Sequence, residues 1–450
     1  MPRNISTVLG LIVAVSLILS LPRVPAYAAP GPALTLSSPA DVFLNEEFSL
    51  GLSFRNSGDA TGFGPIVELI MPPQVAFNGA NYLGLAITSI NVGIFPASGI
   101  LVNPLTSENV TGAPGSRLFI LEYPLGSFTP GQPAAGSSAN CMLTDNATLG
   151  VPFNILATPV FRYGKDAVDN PVTDPPIKGT QATATVTPTV IRLTKATPIH
   201  ENEVSTGPNF PVTYSLTLDI ADNALVSNIT VSDIIPGNLQ FLNVVDAAGG
   251  SVTSTPSTTT PGGTLSVLFS SVTGVVGPDR VIQYRVYAPE KNSVGGDVLH
   301  PDTGASSIAT NVANASGTFT GLAVGSSDNH TLNLRSLSIQ KGVALWIDPQ
   351  GNGISPADTL RYTVNFQVSD YFSVENMTVT DNISDGQSFD TTFVPTLSVT
   401  RGGVTVADNF SMANYPWVHN AAGPLAGLTT IDFRVSKQLV DLGKIGRAHV

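Results

Sequence analysis

The sequence predicts an all-β fold: antiparallel β-sandwiches in tandem behind an N-terminal signal helix. Three observations predict it. Charged residues are only 12% of the 450, while Gly (42) and Pro (35) are abundant, a balance that favours short strands and turns over long helices. Apolar and polar residues alternate in short runs, the period of a strand with one buried face. Two stretches of the chain repeat each other at a spacing the size of a domain. With 42% hydrophobic residues the chain can fill real cores. At roughly 100–200 residues per domain its length fits about three.

The elements follow in order. Arg3 precedes an apolar run from Val8 to Leu21, and Ala26-Tyr27-Ala28 stands before Ala29. A positive start, an apolar middle and a small-x-small site predict an export signal over residues 1–28. The alternative is an uncleaved anchor, and the run is near the lower limit for spanning a bilayer. No second apolar run follows, so no transmembrane segment is expected in the mature chain, and the expected location is extracellular or at the cell surface. Residues 445–450 (Ile445, Gly446, Arg447, Ala448, His449, Val450) read as a translated sequencing adapter and are set aside.

The net charge is −12, and −15 without Arg3, Arg23 and Arg447. Such a surface repels phosphate backbones and no basic run offsets it, which excludes nucleic acid as an expected partner. Cys141 is the only cysteine, so no disulfide can form within the chain. A lone thiol of this kind is expected to be buried.

Self-similarity organises the rest. Tyr214–Phe241 aligns without gaps to Tyr362–Phe389, and nine of the 28 pairs are identical: Tyr214/Tyr362, Asp222/Asp370, Val226/Val374, Asn228/Asn376, Thr230/Thr378, Val231/Val379, Asp233/Asp381, Ile235/Ile383 and Phe241/Phe389. Upstream, Leu193-Thr194-Lys195 matches Ile339-Gln340-Lys341. Downstream, Ile282–Val286 matches Ile431–Val435. A weaker first copy is visible in Phe48–Gly58, Glu68–Pro73 and Arg117–Tyr123. The expected domains are a divergent one over 29–186, a repeat over 187–331 and a third, cut short, over 332–444. The first holds two long insertions, roughly 79–116 and 130–154, and long loops on a rigid sandwich are where binding is expected.

Within one repeat, Val212, Tyr214, Leu216 and Leu218 share one side of a strand and Thr213, Ser215, Thr217 and Asp219 the other. Ile229 and Val231 point oppositely to Asn228, Thr230 and Ser232. Asp233 is read as ending that strand before the Pro236-Gly237 turn. Short alternating strands with no helical crossovers predict immunoglobulin-like antiparallel sandwiches.

The pattern Tyr-x-Val/Leu…Val-x-Asn-x-Thr-Val-x-Asp…Phe resembles a bacterial conserved repeat known as the domain of unknown function number eleven. Asp348–Tyr362 is also similar to that family's opening. The resemblance covers 187–444 well and 31–186 loosely. It implies tandem immunoglobulin-like modules of large surface or secreted proteins, and it says little about ligands. Surface sandwiches similar to pilin modules join a first-strand Lys to a last-strand Asn with the help of a buried acid. By that resemblance Lys195 would pair with Asn311 or Asn314, with Asp233 as the acid. The chemistry needs a neutral amine in a dry pocket. Asp233 is expected instead to cap an exposed turn, and the acids recurring between repeats are expected to be structural.

No nucleophile elbow, zincin motif, phosphate loop or dinucleotide fingerprint is present, so no enzyme activity is expected. Five scattered histidines and one cysteine do not make a zinc site. Asp348, Gln350, Asn352 and Ile354, with Asp358 to close the ring, resemble half of a calcium loop, and calcium is the one cofactor considered. Thr359 stands where a bidentate Glu belongs, and the alternative is an Asx/Gly-rich turn.

The expected function is that of a non-catalytic structural or adhesive surface protein, its sandwiches serving as stalk or binding modules for other surface proteins or glycans. The alternative is an accessory region of a larger secreted enzyme. A carbohydrate-binding role would need exposed aromatics, for which Tyr415 and Trp417 are the dense pair.

Overall fold

The structure is a computed structural model. It describes residues 28–144, 146–167, 175–300, 306–372, 377–383, 387–390, 392–401, 404–411, 417–421 and 429–434. Residues 1–27 of the expected export signal, the terminal hexapeptide, Val374, Asn376, Tyr415 and Val435 lie outside these residues. The fold is all-β: sheets stacked in sandwiches, antiparallel except that the short strands Asp41–Phe43 and Glu203–Ser205 pair in parallel with Ala182–Thr189 and Leu322–Arg335. Among the described residues no helix is long and apolar enough to cross a membrane. The chain divides into two compact units, Met1–Thr189 and Val190–Val450, and the second holds both repeats.

In the first unit a five-stranded sheet orders Pro32–Ser37, Glu47–Asn56, Ala135–Leu143, Val75–Tyr82 and Leu85–Ala86. Facing it is a seven-stranded sheet in which Phe153–Phe161 pairs Pro65–Met71, and Pro65–Met71 pairs Arg117–Glu122. Glu47–Asn56 turns Phe48, Leu50, Leu52 and Phe54 inward by its period of two. The Phe54 ring lies 5.4–5.7 Å from those of Tyr123, Phe128 and Phe161. Cys141 is fully buried, and burial pushes its thiol up to about 12.

Neither expected insertion is a free loop. Residues 79–116 contain the strands Thr88–Ile94, Ile100–Val102 and Asn109–Thr111. Thr88–Ile94 joins the second sheet as the edge strand beside Arg117–Glu122, and the Ile100–Val102 and Asn109–Thr111 hairpin packs on the outer face, where Phe95 and Val110 close a satellite core with Ile66, Ile70, Leu118, Ile120 and Val160. That is why Pro65–Met71 is buried on both faces. Residues 130–154 supply Ala135–Leu143, a strand inside the first sheet whose inward face carries the small residues Ala135, Ala139 and Cys141 before Leu143 at its end.

In the second unit the second repeat is a complete sandwich. One sheet orders Ile191–Ala196, Val212–Ile220, Arg280–Tyr287 and Gln240–Asp246. The other orders Glu203–Ser205, Leu322–Arg335, Ser306–Phe319, Leu225–Ile235, Gly263–Thr273 and Ser251–Ser254. Side chains of Leu322–Arg335 cover the free edge of the first strand: Leu193 N donates to Ser326 Oγ at 3.0 Å and Lys195 N to Asp328 Oδ2 at 2.7 Å. The third repeat forms the Leu337–Ile347 and Thr359–Val368 hairpin and a sheet ordered Thr378–Ile383, Thr429–Arg434, Trp417–Ala421. Here the structure departs from the repeat alignment. Thr429–Arg434 pairs Thr378–Ile383, whereas its counterpart Arg280–Tyr287 pairs Val212–Ile220.

The second and third repeats meet through hydrogen bonds. Ser205 Oγ donates to Gln367 O at 2.7 Å, and the Thr206 and Ser369 hydroxyls lie 2.6 Å apart. Asn209 donates from its backbone N and from Nδ2 to Asp370 at 3.0 and 2.8 Å. The Asp370 carboxylate therefore has its partner in the neighbouring repeat.

Candidate functional site

Lys195, Asp233 and Asn311 come together in the interior of the second repeat. Lys195 lies on the first strand, Ile191–Ala196, with its side chain pointing into the sandwich beside Leu193 and Ile191. Asp233 lies on Leu225–Ile235 and Asn311 on Ser306–Phe319, adjacent strands of the facing sheet. Inward residues on the last of these are Ala309, Asn311, Ala313 and Ala315, so small neighbours leave room for the lysine chain. Asn314 is out of phase with them and lies on the other face, apart from Lys195.

Asp233 does not cap an exposed turn. Its strand runs on to Ile235, and Asp233 shares the inward parity of Ile229 and Val231. The side chains of Lys195 and Asp233 are both fully buried and in contact. Lys195 Nζ also donates to Tyr284 Oη at 2.9 Å, and Asn311 Nδ2 donates to the same oxygen at 2.8 Å. The amine stands 4.5 Å from the centre of the Tyr214 ring, which stacks on Tyr284. Asp233 Oδ1 and Asn311 Oδ1 are buried without hydrogen-bond partners.

Burial sets the proton balance. Desolvation brings the Lys195 amine down to about 8, against the opposing pull of Asp233. Desolvation likewise raises the Asp233 carboxyl, against the pull of Lys195. Both shifts favour a neutral amine beside a neutral acid. A charged pair held this far from water carries a desolvation cost that its attraction barely offsets. Tyr284, the hydroxyl that gathers amine and carboxamide, was not a candidate from sequence. Its signal is the alternation of Ile282, Tyr284 and Val286, which puts it inside.

The pair recurs in the third repeat. Lys341 Nζ contacts Asp381 Oδ1 at 2.5 Å and lies 4.3 Å from the Tyr362 ring, the counterpart of Tyr214. There the side chains are 36% and 13% exposed, so the amine is open to solvent where that of Lys195 is enclosed.

The calcium loop is occupied by its own backbone. Asp348 accepts hydrogen bonds from the N–H groups of Gly351 and Gly353 at 2.6 and 3.0 Å, bonds that hold its carboxyl below the usual range. Asp358 accepts from Ser355 N and Oγ, Gln350 accepts from Ser355 Oγ, Asn352 is exposed, and Ile354 is largely exposed. Amide hydrogens aimed at a carboxylate make an Asx-type turn and occupy the lone pairs a cation needs. Among the described residues no group of three or more His, Cys, Asp or Glu is placed to hold a metal ion.

No family model matches the chain and no curated protein matches it. The resemblance to the bacterial conserved repeat therefore rests on the residues quoted above. Solved structures with similar strand arrangements include the major pilin subunit of Bacillus cereus, 9% identical over 67% of this chain and 66% of that one, with a TM-score of 0.22. A C-terminal fragment of the major pilin of Streptococcus agalactiae is 10% identical over 67% of this chain and 90% of that one, with a TM-score of 0.20. A cohesin module from Clostridium perfringens is 8% identical over 36% of this chain and 97% of that one, with a TM-score of 0.22. At this level no residue role transfers from any of them.

Proposed function

We propose that this is a non-catalytic structural protein of the cell exterior whose second repeat locks itself with an amide bond between Lys195 and Asn311. The observation that carries the reading is the convergence of a buried amine, a buried acid and a carboxamide on one pocket. Lys195 passes a proton to Asp233, and its lone pair attacks Cγ of Asn311. A new C–N bond forms as the bond to Nδ2 breaks. The second proton from Nζ completes the departing ammonia, and Asp233 stays protonated. A buried ion pair becomes a neutral amide beside a neutral acid, which removes the desolvation cost of two charges.

Such a bond suits a module that bears load. It ties the first strand to the strand before the last and closes the chain between them into a covalent loop. Tension applied at the two ends of the repeat then bypasses residues 196–310. The hydrogen-bonded junction with the third repeat favours a stalk over freely jointed beads. Stretching single molecules tests the role. The second repeat of the native protein should release no length from residues 196–310, and Asn311→Ala should release it. Equal extension for both would contradict a load-bearing bond.

A further inference from the structure

The hairpin of the third repeat carries a feature that the second repeat lacks. In the second repeat the first strand stops at Ala196, directly after Lys195. In the third, Leu337–Ile347 continues past Lys341 and stays paired with Thr359–Val368. Trp346 lies on that extension, at the register shift between Leu345 and Ile347, and is 60% exposed. An irregularity of this kind re-aims a side chain. The Arg361 guanidinium, from the paired strand, stands 4.7 Å from the centre of the indole ring. It covers one face and fixes the ring, and the exposure of the residue leaves the other face open to solvent.

Alternation assigns the residues beside it. Lys341 turns inward, where it meets Asp381 and the Tyr362 ring. Gln340 and Gly342 on one strand, and Thr363 and Asn365 on the other, therefore share the outer face with Trp346. Pairing sets Gly342 beside Thr363 and Gln340 beside Asn365. Gly342, Thr363 and Asn365 are exposed, and Gln340 Nε2 donates to Glu203 O at 3.4 Å, which steadies its carboxamide. Packing does not require the glycine: a Cβ there meets only Thr363 O, at 3.9 Å. A glycine inside a strand weakens it and marks a place where a ligand comes close to the backbone. At the rise of a strand the row from Trp346 to Gln340 is about 20 Å long. It has an indole at one end, a bare floor in the middle and carboxamides at the other end.

We propose that this row binds an extended chain of β-linked pyranose sugars. One face of such a ring is made of C–H bonds, apolar and slightly positive, and it stacks on the negative face of an indole. The edge of the ring carries hydroxyls that both donate and accept. The carboxamides of Gln340 and Asn365 and the hydroxyl of Thr363 offer both functions in return. Gly342 lets the chain lie against the strand. A straight, β-linked chain follows the row, whereas an α-linked chain coils away from it. A protein partner fits this face poorly, because a protein interface needs a dry apolar centre and the row holds one large apolar side chain. The site lies in the third repeat and is independent of the Lys195 bond.

Titration of the full chain with cellohexaose and with chitohexaose, followed by tryptophan emission and by calorimetry, tests the proposal. At least one of the two should bind, and the two arms distinguish a glucose chain from an N-acetylglucosamine chain. Maltohexaose, which is α-linked, should bind at least tenfold more weakly. Trp346→Ala should weaken binding at least tenfold and abolish the emission change, which assigns that change to Trp346 and not to Trp417. Gly342→Leu fills the floor while leaving the indole in place, and it should weaken binding to a similar degree. Failure of both β-linked hexasaccharides to bind would overturn the proposal. So would undiminished binding by either variant, equal binding of maltohexaose, or tighter binding of a proline-rich peptide.

Discussion

Lys195 Nζ and Asn311 Nδ2 hydrogen-bond to one oxygen, Tyr284 Oη, at 2.9 and 2.8 Å, although the two residues stand on opposite sheets of the sandwich. The tyrosine is a gathering point for two groups otherwise separated by the thickness of the core. Tyr284→Phe keeps the ring and its stacking on Tyr214 but removes that hydroxyl. Cross-link formation after refolding should slow at least tenfold, while the final yield approaches that of the native protein. Intact mass followed over time measures it, and an unchanged rate would remove Tyr284 from the account.

Closing a loop of over a hundred residues restricts the unfolded chain, by about 5 kcal/mol on the entropic estimate used for cross-links of that length. Asn311→Ala should therefore lower the stability of the second repeat by several kcal/mol. The check is urea unfolding, with Asn314→Ala as the control: residue 314 lies on the outer face and should change the midpoint little.

The buried amine gives a pH signature in the variant that cannot form the bond. With the Lys195 amine at about 8 in the fold and 10.5 in the open chain, the unfolded state binds more protons between those limits. Stability of Asn311→Ala should rise with pH across that window. The raised carboxyl of Asp233 works oppositely: above 3.8 the folded state binds more protons, so its contribution is lost as pH climbs through the raised value. With the proposed amide in place of the amine, the native protein should lack the alkaline rise. Urea midpoints measured across the alkaline range for both proteins test this.

In the first unit Phe54 sits among the rings of Tyr123, Phe128 and Phe161 and is fully buried. Phe54→Ala should cost about 3–5 kcal/mol. Cys141 lies in the same core, so it should resist an aromatic disulfide reagent in the native protein and react in urea. Phe54→Ala should bring that reactivity to lower urea concentrations.

Much of the second repeat was legible because its core residues are large. Val212, Tyr214, Leu216 and Leu218 declare both a strand and its buried face. For the pocket, the sequence pointed to Lys195, left Asn311 and Asn314 as alternatives, and misread the exposure of Asp233. The alternation that turns Ile229 and Val231 inward does the same to Asp233, yet a carboxylate before Pro236-Gly237 reads locally as the end of a strand. Only Lys195, far away in sequence, makes its burial tolerable, and pairing across sheets leaves no local trace. Asn228 adds to the difficulty, with a positive φ of 52° where the register with Ser306–Phe319 shifts. In the first unit the strand Ala135–Leu143 escaped because its inward side chains before Leu143 are small.

Peptide mapping of the second repeat tests the central claim most directly. An amide at Lys195 prevents cleavage there, so a denatured tryptic digest should contain residues 193–280 joined to residues 292–335, short by one ammonia, with fragments placing the junction at Lys195 and Asn311. Cleavage after Lys195, with peptide 292–335 free at its full mass, would contradict the claim.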